Sequence, residues 1–217
     1  MRPNAAFTAV AGLLLLAPLA PGVARASENV LTNPEFDYDQ MEAGWTIALP
    51  GASGTLIDWT NEDSNACLGS GSGRIASSTT DVGTQWAEVG QCQPIDSSAW
   101  PTGFHAAFSY FSYETLGLAW ASFFYYSDTA CGQAGGSYLG YDGEAASIDP
   151  GWHRAAISRA TLLAHTQSVF VAVGAEAYQL TRMELSFDRA YFGPRPVVFT
   201  DDFESVASTC RWSAVVE

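Results

Sequence analysis

Residues 104–113, FHAAFSYFSY, alternate strictly: Phe104, Ala106, Phe108 and Tyr110 fall on one face, His105, Ala107, Ser109 and Phe111 on the other. A period of two places successive side chains on opposite faces of a strand and is incompatible with a helix of period 3.6. The pattern recurs. Residues 84–93, TQWAEVGQCQ, read as a strand ended by Pro94 and the Asp96-Ser97-Ser98 cluster. Residues 118–126, LAWASFFYY, read as another, stopped at Ser127-Asp128. In 168–175, SVFVAVGA, the residues Val169, Val171 and Val173 share a face. In 183–192, MELSFDRAYF, Met183, Leu185, Phe187 and Tyr191 face one way and Glu184, Ser186 and Asp188 the other, until Gly193-Pro194 breaks the run. Short alternating strands punctuated by Gly, Pro, Asn, Asp and Ser specify an all-β sandwich or barrel. Helical signals are weak: 155–165, AAISRATLLAH, reads better as extended. Residues 61–73 and 132–147 read as polar, glycine-rich loops, and Pro194-Arg195-Pro196 as a domain boundary before a tail at 197–217.

The start of the chain is expected to be a secretory signal peptide covering residues 1–26. Arg2 supplies the positive region, 9–20 (AVAGLLLLAPLA) the apolar core, and Ala24-Arg25-Ala26 the A-x-A cleavage site. No later run approaches the roughly 18 apolar residues of a membrane helix, so no transmembrane segment is expected in the mature chain. Formal charge is −14, and all nine basic residues are arginine. A chain this acidic, with no basic cluster, is a poor partner for nucleic acid and is repelled by anionic membranes. It is compatible with cations or with neutral partners such as sugars. The composition is 47% hydrophobic and 13% aromatic, which is that of a folded domain and not of an acidic disordered tail. Export favours disulfides among Cys67, Cys92, Cys131 and Cys210, and their spacing does not choose the pairing.

Several segments resemble a known family in order. Asn33-Pro34-Glu35-Phe36-Asp37 followed by Gly44-Trp45-Thr46 resembles the "NPGFE…GWT" opening of jelly-roll carbohydrate-binding modules of the family 4/9/22 type. Ser72-Gly73-Arg74-Ile75, Gly151-Trp152-His153-Arg154, the strand from Ser168 to Val173, and Leu185 to Phe192 resemble later strands of the same modules. The resemblance spans roughly residues 29–193. Glu35 stands at the family's glycine, Asp37 at its glutamate, and Arg189 at one of the two closing acids. The resemblance implies a two-sheet antiparallel jelly-roll β-sandwich over 27–196 that binds poly- or oligosaccharide without catalysis. The alternative is a structural or adhesive surface β-sandwich without a sugar site.

Sugar binding on such a fold uses aromatic faces under the pyranose C–H groups and polar side chains on its hydroxyls. Candidate ligand-binding aromatics are Trp59, Trp86, Tyr113, Trp120, Tyr125, Tyr138 and Tyr141, with Gln85 and Glu88 as polar partners. An aromatic in a strand also serves as core, so exposure is expected first for Tyr138 and Tyr141, which lie in a glycine-rich stretch. Modules of this type commonly hold a structural calcium ion where the first and last strands meet. The resemblance implies Asp37 and Asp188 as its carboxylates, with backbone oxygens near Thr32 filling out the about six to eight oxygen ligands Ca²⁺ takes. Read without the resemblance, both are surface acids, or Asp188 pairs with an arginine.

No nucleophile elbow, HExxH or phosphate-binding loop is present, and His105, His153 and His165 have no evident catalytic partner. No catalytic residues are therefore assigned. The tail, 199-FTDDFESVASTCRWS-213, resembles a short C-terminal segment of secreted bacterial proteins of the form "F-x-D-G-F-E-S-G-D…W-S". With Cys210 in such a tail, away from the main body, Cys92–Cys131 is the preferred internal disulfide and Cys67–Cys210 the second possibility. Localisation is expected to be secreted or cell-surface. Phe36 and Trp45 are expected to plug the core.

Overall fold

A computed structural model describes residues 29–34, 36, 44–49, 55–64, 71–77, 85–96, 98, 100, 103–112, 117–177 and 183–194. The expected signal peptide at 1–26, the 197–217 tail, Asp37, Tyr113, Cys67 and Cys210 lie outside the described residues. Among the described residues ten strands run in chain order: β1 (Thr46–Leu49), β2 (Thr55–Thr60), β3 (Ser72–Ser77), β4 (Gln85–Pro94), β5 (Phe104–Ser112), β6 (Leu118–Tyr126), β7 (Tyr138–Ser147), β8 (Gly151–Arg159), β9 (Ser168–Ala177) and β10 (Met183–Pro194). They form two antiparallel five-stranded sheets, ordered β1-β4-β9-β6-β7 and β2-β3-β10-β5-β8. This is the all-β jelly-roll sandwich. Among the described residues no helix is long and apolar enough to cross a membrane.

The alternating strands place their apolar sides between the sheets. Phe104, Phe108 and Tyr110 from β5 meet Phe123 and Tyr125 from β6, Val169, Val171 and Val173 from β9, and Leu185, Phe187 and Phe192 from β10, all in the core. Burial of these rings and branched chains, at about 25 cal/mol per Å² of apolar surface, is the main favourable term. The N-terminal segment closes one end. Phe36 and Trp45 are buried and stack at 4.7 Å, and Phe36 meets Phe187 edge-on at 5.1 Å. The backbone is stitched to β10 through Val30 N–H to Phe192 O and Ala190 N–H to Pro34 O.

Three readings of the sequence need correction. The stretch 138–147 is strand β7, not loop. It is an edge strand, partly exposed on both sides, so it lacks the alternation that marks a half-buried strand. The 61–73 loop ends earlier than expected, because Ser72 already begins β3. Tyr191 does not share a face with Leu185 and Phe187. The register with β5 shifts between Asp188 and Tyr191, and Arg189 takes φ 52°. The extra residue of this bulge turns Ala190 and Phe192 into the core and sends Tyr191 outward beside His105.

The two sheets are clasped at one edge by charge. Arg159 on β8 grips Asp142 on β7 in a bidentate pair, with Nη2 to Oδ1 at 2.8 Å. The guanidinium holds the Asp142 carboxyl below its ordinary range. Cys92 on β4 and Cys131 in the 127–137 loop form a disulfide. Asp128 organises that loop by accepting from the backbone N–H groups of Ala130, Gly132 and Gly136.

Candidate functional site

The outward face of the first sheet follows from register. On β4 the core takes Ala87 and Val89, which sends Trp86, Glu88 and Gly90 outward. On β6 the core takes Ala119, Ala121 and Phe123, which sends Trp120, Ser122 and Phe124 outward. On β9 the outward positions are Phe170, Ala172, Gly174 and Glu176. Cross-strand pairing aligns Gly143, Ser122, Ala172, Gly90 and Thr46 into one row of small residues crossing all five strands. Four inter-strand spacings make that row about 19 Å long.

Aromatic side chains flank the row on both sides. On one side Trp86 and Trp120 stack at 5.3 Å with an interplanar angle of 18°. The Trp120 indole N–H donates to Glu176 Oε2 at 2.9 Å, which fixes the ring against β9. On the other side Phe124 packs between Tyr141, at 5.2 Å, and Phe170, at 6.4 Å. Glycine decides how these rings lie. A Cβ on Gly143 would stand 2.4 Å from the Tyr141 hydroxyl, and one on Gly90 would stand 2.5 Å from Phe170 Cε1. Both rings therefore lie along the sheet instead of standing away from it. Tyr141 remains 45% exposed and Tyr138, edge-on to Tyr126 at 5.8 Å, 55% exposed.

Glu88 is the unusual group of this face. It lies across Gly174, whose hypothetical Cβ would stand 2.5 Å from Glu88 Cγ, and is 1% exposed. Ser122 donates its hydroxyl to Glu88 Oε1 at 2.6 Å. Burial pushes the carboxyl above its ordinary range, and the Ser122 hydroxyl and the nearby Trp86 indole oppose that shift. The Trp86 N–H favours the carboxylate by proximity, yet its nitrogen is buried without the alignment of a hydrogen bond.

Of the candidate sugar-binding residues, Trp86, Glu88, Trp120, Tyr138 and Tyr141 come together on this one face. Trp59 does not. It sits on β2 of the opposite sheet, packs against the core, and donates its indole N–H to Phe36 O at 2.8 Å. Its role there is to anchor the N-terminal segment. Tyr125 also does not, because it points inward and is 3% exposed. Tyr113 lies outside the described residues. Sequence reasoning passed over Phe124, Phe170, Ser122 and Glu176. For Phe124 and Ser122 the available signal was parity with Trp120 on the same strand. For Phe170 and Glu176 on β9, where no candidate had been chosen, only the register with β4 and β6 places them on this face.

The expected calcium position is partly described. Asp188 is 1% exposed, but its Oδ2 accepts from the Ser64 N–H at 3.2 Å and hydroxyl at 2.7 Å, and its Oδ1 from Arg189 N–H. The Thr32 carbonyl accepts from Gln91 Nε2 at 3.0 Å. Among the described residues no group of three His, Cys, Asp or Glu side chains gathers. The second expected ligand, Asp37, lies outside the described residues.

No protein-family model and no curated protein matches the chain. Solved structures do. The fold is similar to TmCBM61, solved in complex with β-1,4-galactotriose, at TM-score 0.50 and 17% identity, covering 78% of this chain and 100% of that one. It is similar to a structure of carbohydrate-binding modules from the β-sandwich superfamily, at TM-score 0.52 and 10% identity, covering 74% and 61%. It is also similar to the enzymatically active domain of bacteriophage CBA120 tailspike protein 4, at TM-score 0.57 and 13% identity, covering 76% of this chain and 21% of that one. What is shared is the two-sheet antiparallel β-sandwich. At these identities the likeness is one of fold.

Proposed function

We propose that this protein is a secreted, non-catalytic carbohydrate-binding module whose binding surface is the outward face of the first sheet. The observation that carries the reading is the placement of Trp86 and Trp120 on one side, and Tyr141, Phe124 and Phe170 on the other, of a row of small residues. Aromatics gathered on one face of one sheet suit a sugar's C–H faces, while Glu176, which meets the Trp120 indole, suits its hydroxyls; Glu88 and Ser122 are buried beneath them. The fold neighbours that bind sugars support it. A structural or adhesive role without a sugar site would require no such convergence.

The test is retention on a panel of soluble and insoluble polysaccharides by the full chain and by W120A, Y141A and W59A. W120A and Y141A are expected to weaken binding about tenfold or more, with a small change in melting temperature. W59A is expected to lower the melting temperature and leave affinity at 20 °C unchanged. Loss of binding and of the melt together in W120A would make that residue structural and refute the assignment.

A calcium clasp formed by Asp37 and Asp188 is a separate proposal. EDTA is expected to lower the melting temperature and Ca²⁺ to restore it, since an ion held only by the folded state stabilises that state. No shift in either direction leaves Asp188 as the anchor of the 61–64 loop.

A further inference from the structure

We infer that the outward face of the first sheet selects neutral glycans and rejects those carrying carboxylate, sulfate or phosphate groups. The inference rests on the reading of that face as the sugar surface. Its basis is where charge falls. Among the described residues, the outward side chains of β1, β4, β6, β7 and β9 include two carboxylates, Glu88 and Glu176, and no arginine, lysine or histidine. Every described arginine lies elsewhere. Arg74, Arg154, Arg159 and Arg189 sit on β3, β8 and β10 of the opposite sheet. Arg74 is held by Asp58, and Arg159 is held in the clasp with Asp142.

Recognition of an anionic sugar calls for a guanidinium or ammonium that can meet it, commonly in a two-pronged geometry. This face offers the opposite. A uronate lying across Trp120 would set its carboxylate beside Glu176, whose Oε2 already accepts from the indole and whose side chain is largely buried. Like charges at that range repel strongly where water is excluded. The whole-chain charge of −14 adds a longer-ranged repulsion of the same sign. A neutral pyranose meets neither penalty, and its hydroxyls can donate to the same Glu176 carboxylate.

Matched oligosaccharides give the test. Cello-oligosaccharides, xylo-oligosaccharides and β-1,4-galacto-oligosaccharides are titrated into the full chain by calorimetry, alongside cello-oligosaccharides oxidised at C6 to glucuronate and sulfated at C6. At least one neutral series is expected to bind, with its charged counterpart about tenfold weaker or more at low ionic strength. Added salt narrows that gap, because it screens the repulsion and leaves the neutral ligand untouched. E176Q keeps an acceptor for the Trp120 indole and is expected to narrow the gap further. A gap that E176Q leaves unchanged would assign the discrimination to the overall charge and overturn the role given to this face. Equal or tighter binding of the charged oligosaccharide overturns the inference while keeping the face as a sugar site. No binding by any neutral or charged glycan overturns both readings.

Discussion

Glu88→Gln separates the charge of the buried carboxyl from its shape. In the folded chain Glu88 is 1% exposed, crosses Gly174 and accepts from Ser122 at 2.6 Å. Burial raises its pKa above the ordinary value of 4.5. The unfolded chain has no such burial, so between the unfolded and folded pKa values the native state binds more protons than the unfolded one. The contribution of this group to stability is therefore fully present below the unfolded pKa and is lost as pH rises through the folded pKa. The loss accumulates at about 1.4 kcal/mol per pH unit across that window. Glutamine keeps the volume and an acceptor for the Ser122 hydroxyl but never ionises. Urea unfolding of the parent and E88Q at pH values from 4 to 8 gives the difference directly. The titrations of other acids occur in both proteins and cancel. E88Q is expected to gain progressively relative to the parent as pH rises from 4 to 8. A difference that stays flat with pH, or that favours the parent at high pH, would refute the claim that burial dominates this carboxyl.

Ser122→Ala removes the hydroxyl that meets Glu88, and at pH 8 it is expected to cost about 1–3 kcal/mol by urea unfolding, less at pH 4. Asp142→Ala opens the Arg159 clasp between the sheets. Both groups are partly exposed, so the loss is expected at about 1 kcal/mol, smaller in high salt. Because Arg159 depresses the Asp142 pKa, the stability that Asp142 contributes is present above its unfolded pKa and lost as pH falls through its folded value, opposite to Glu88. A clasp variant as stable as the parent at low salt would show the pair to be ornamental. Replacing Cys92 and Cys131 by serine releases a separation of 39 residues, and by chain entropy this is expected to cost about 4 kcal/mol. Equal urea midpoints for the serine variant and the oxidised parent would refute that. Gly174→Ala would set a Cβ 2.6 Å from the Ala87 carbonyl oxygen, a backbone atom that cannot swing aside, and is expected to lower the melting temperature and loosen Glu88.

Much of the fold was legible because its central strands obey one rule. Residues 104–113, 118–126 and 168–175 each turn their larger apolar side chains to the core at every second position, so period two is written plainly and the strands appear where expected. Strand β7 was not legible. Its glycines and acids look like a loop, yet Gly143 is there to let Tyr141 lie flat, and Asp142 to reach across to β8. The bulge at Arg189 was hidden too, since one added residue changes parity without changing composition. Within the site, Trp86, Trp120 and Tyr141 could be picked by residue type. Trp59 could be picked by the same criterion, although it closes the core from the other sheet.

The sequence by itself determined the class: alternation and turn residues demand strands, an acidic lysine-free composition disfavours nucleic acid, and an ordered set of weak motifs points to the jelly roll. Tertiary structure alone decided which aromatics share a surface. Alternation assigns a side chain to one of two faces within its own strand, but strand order and register decide which faces join and which of them meets water. Trp86 and Trp120 lie on strands separated in sequence and both flank β9, so their stacking is a property of the sheet order β4-β9-β6.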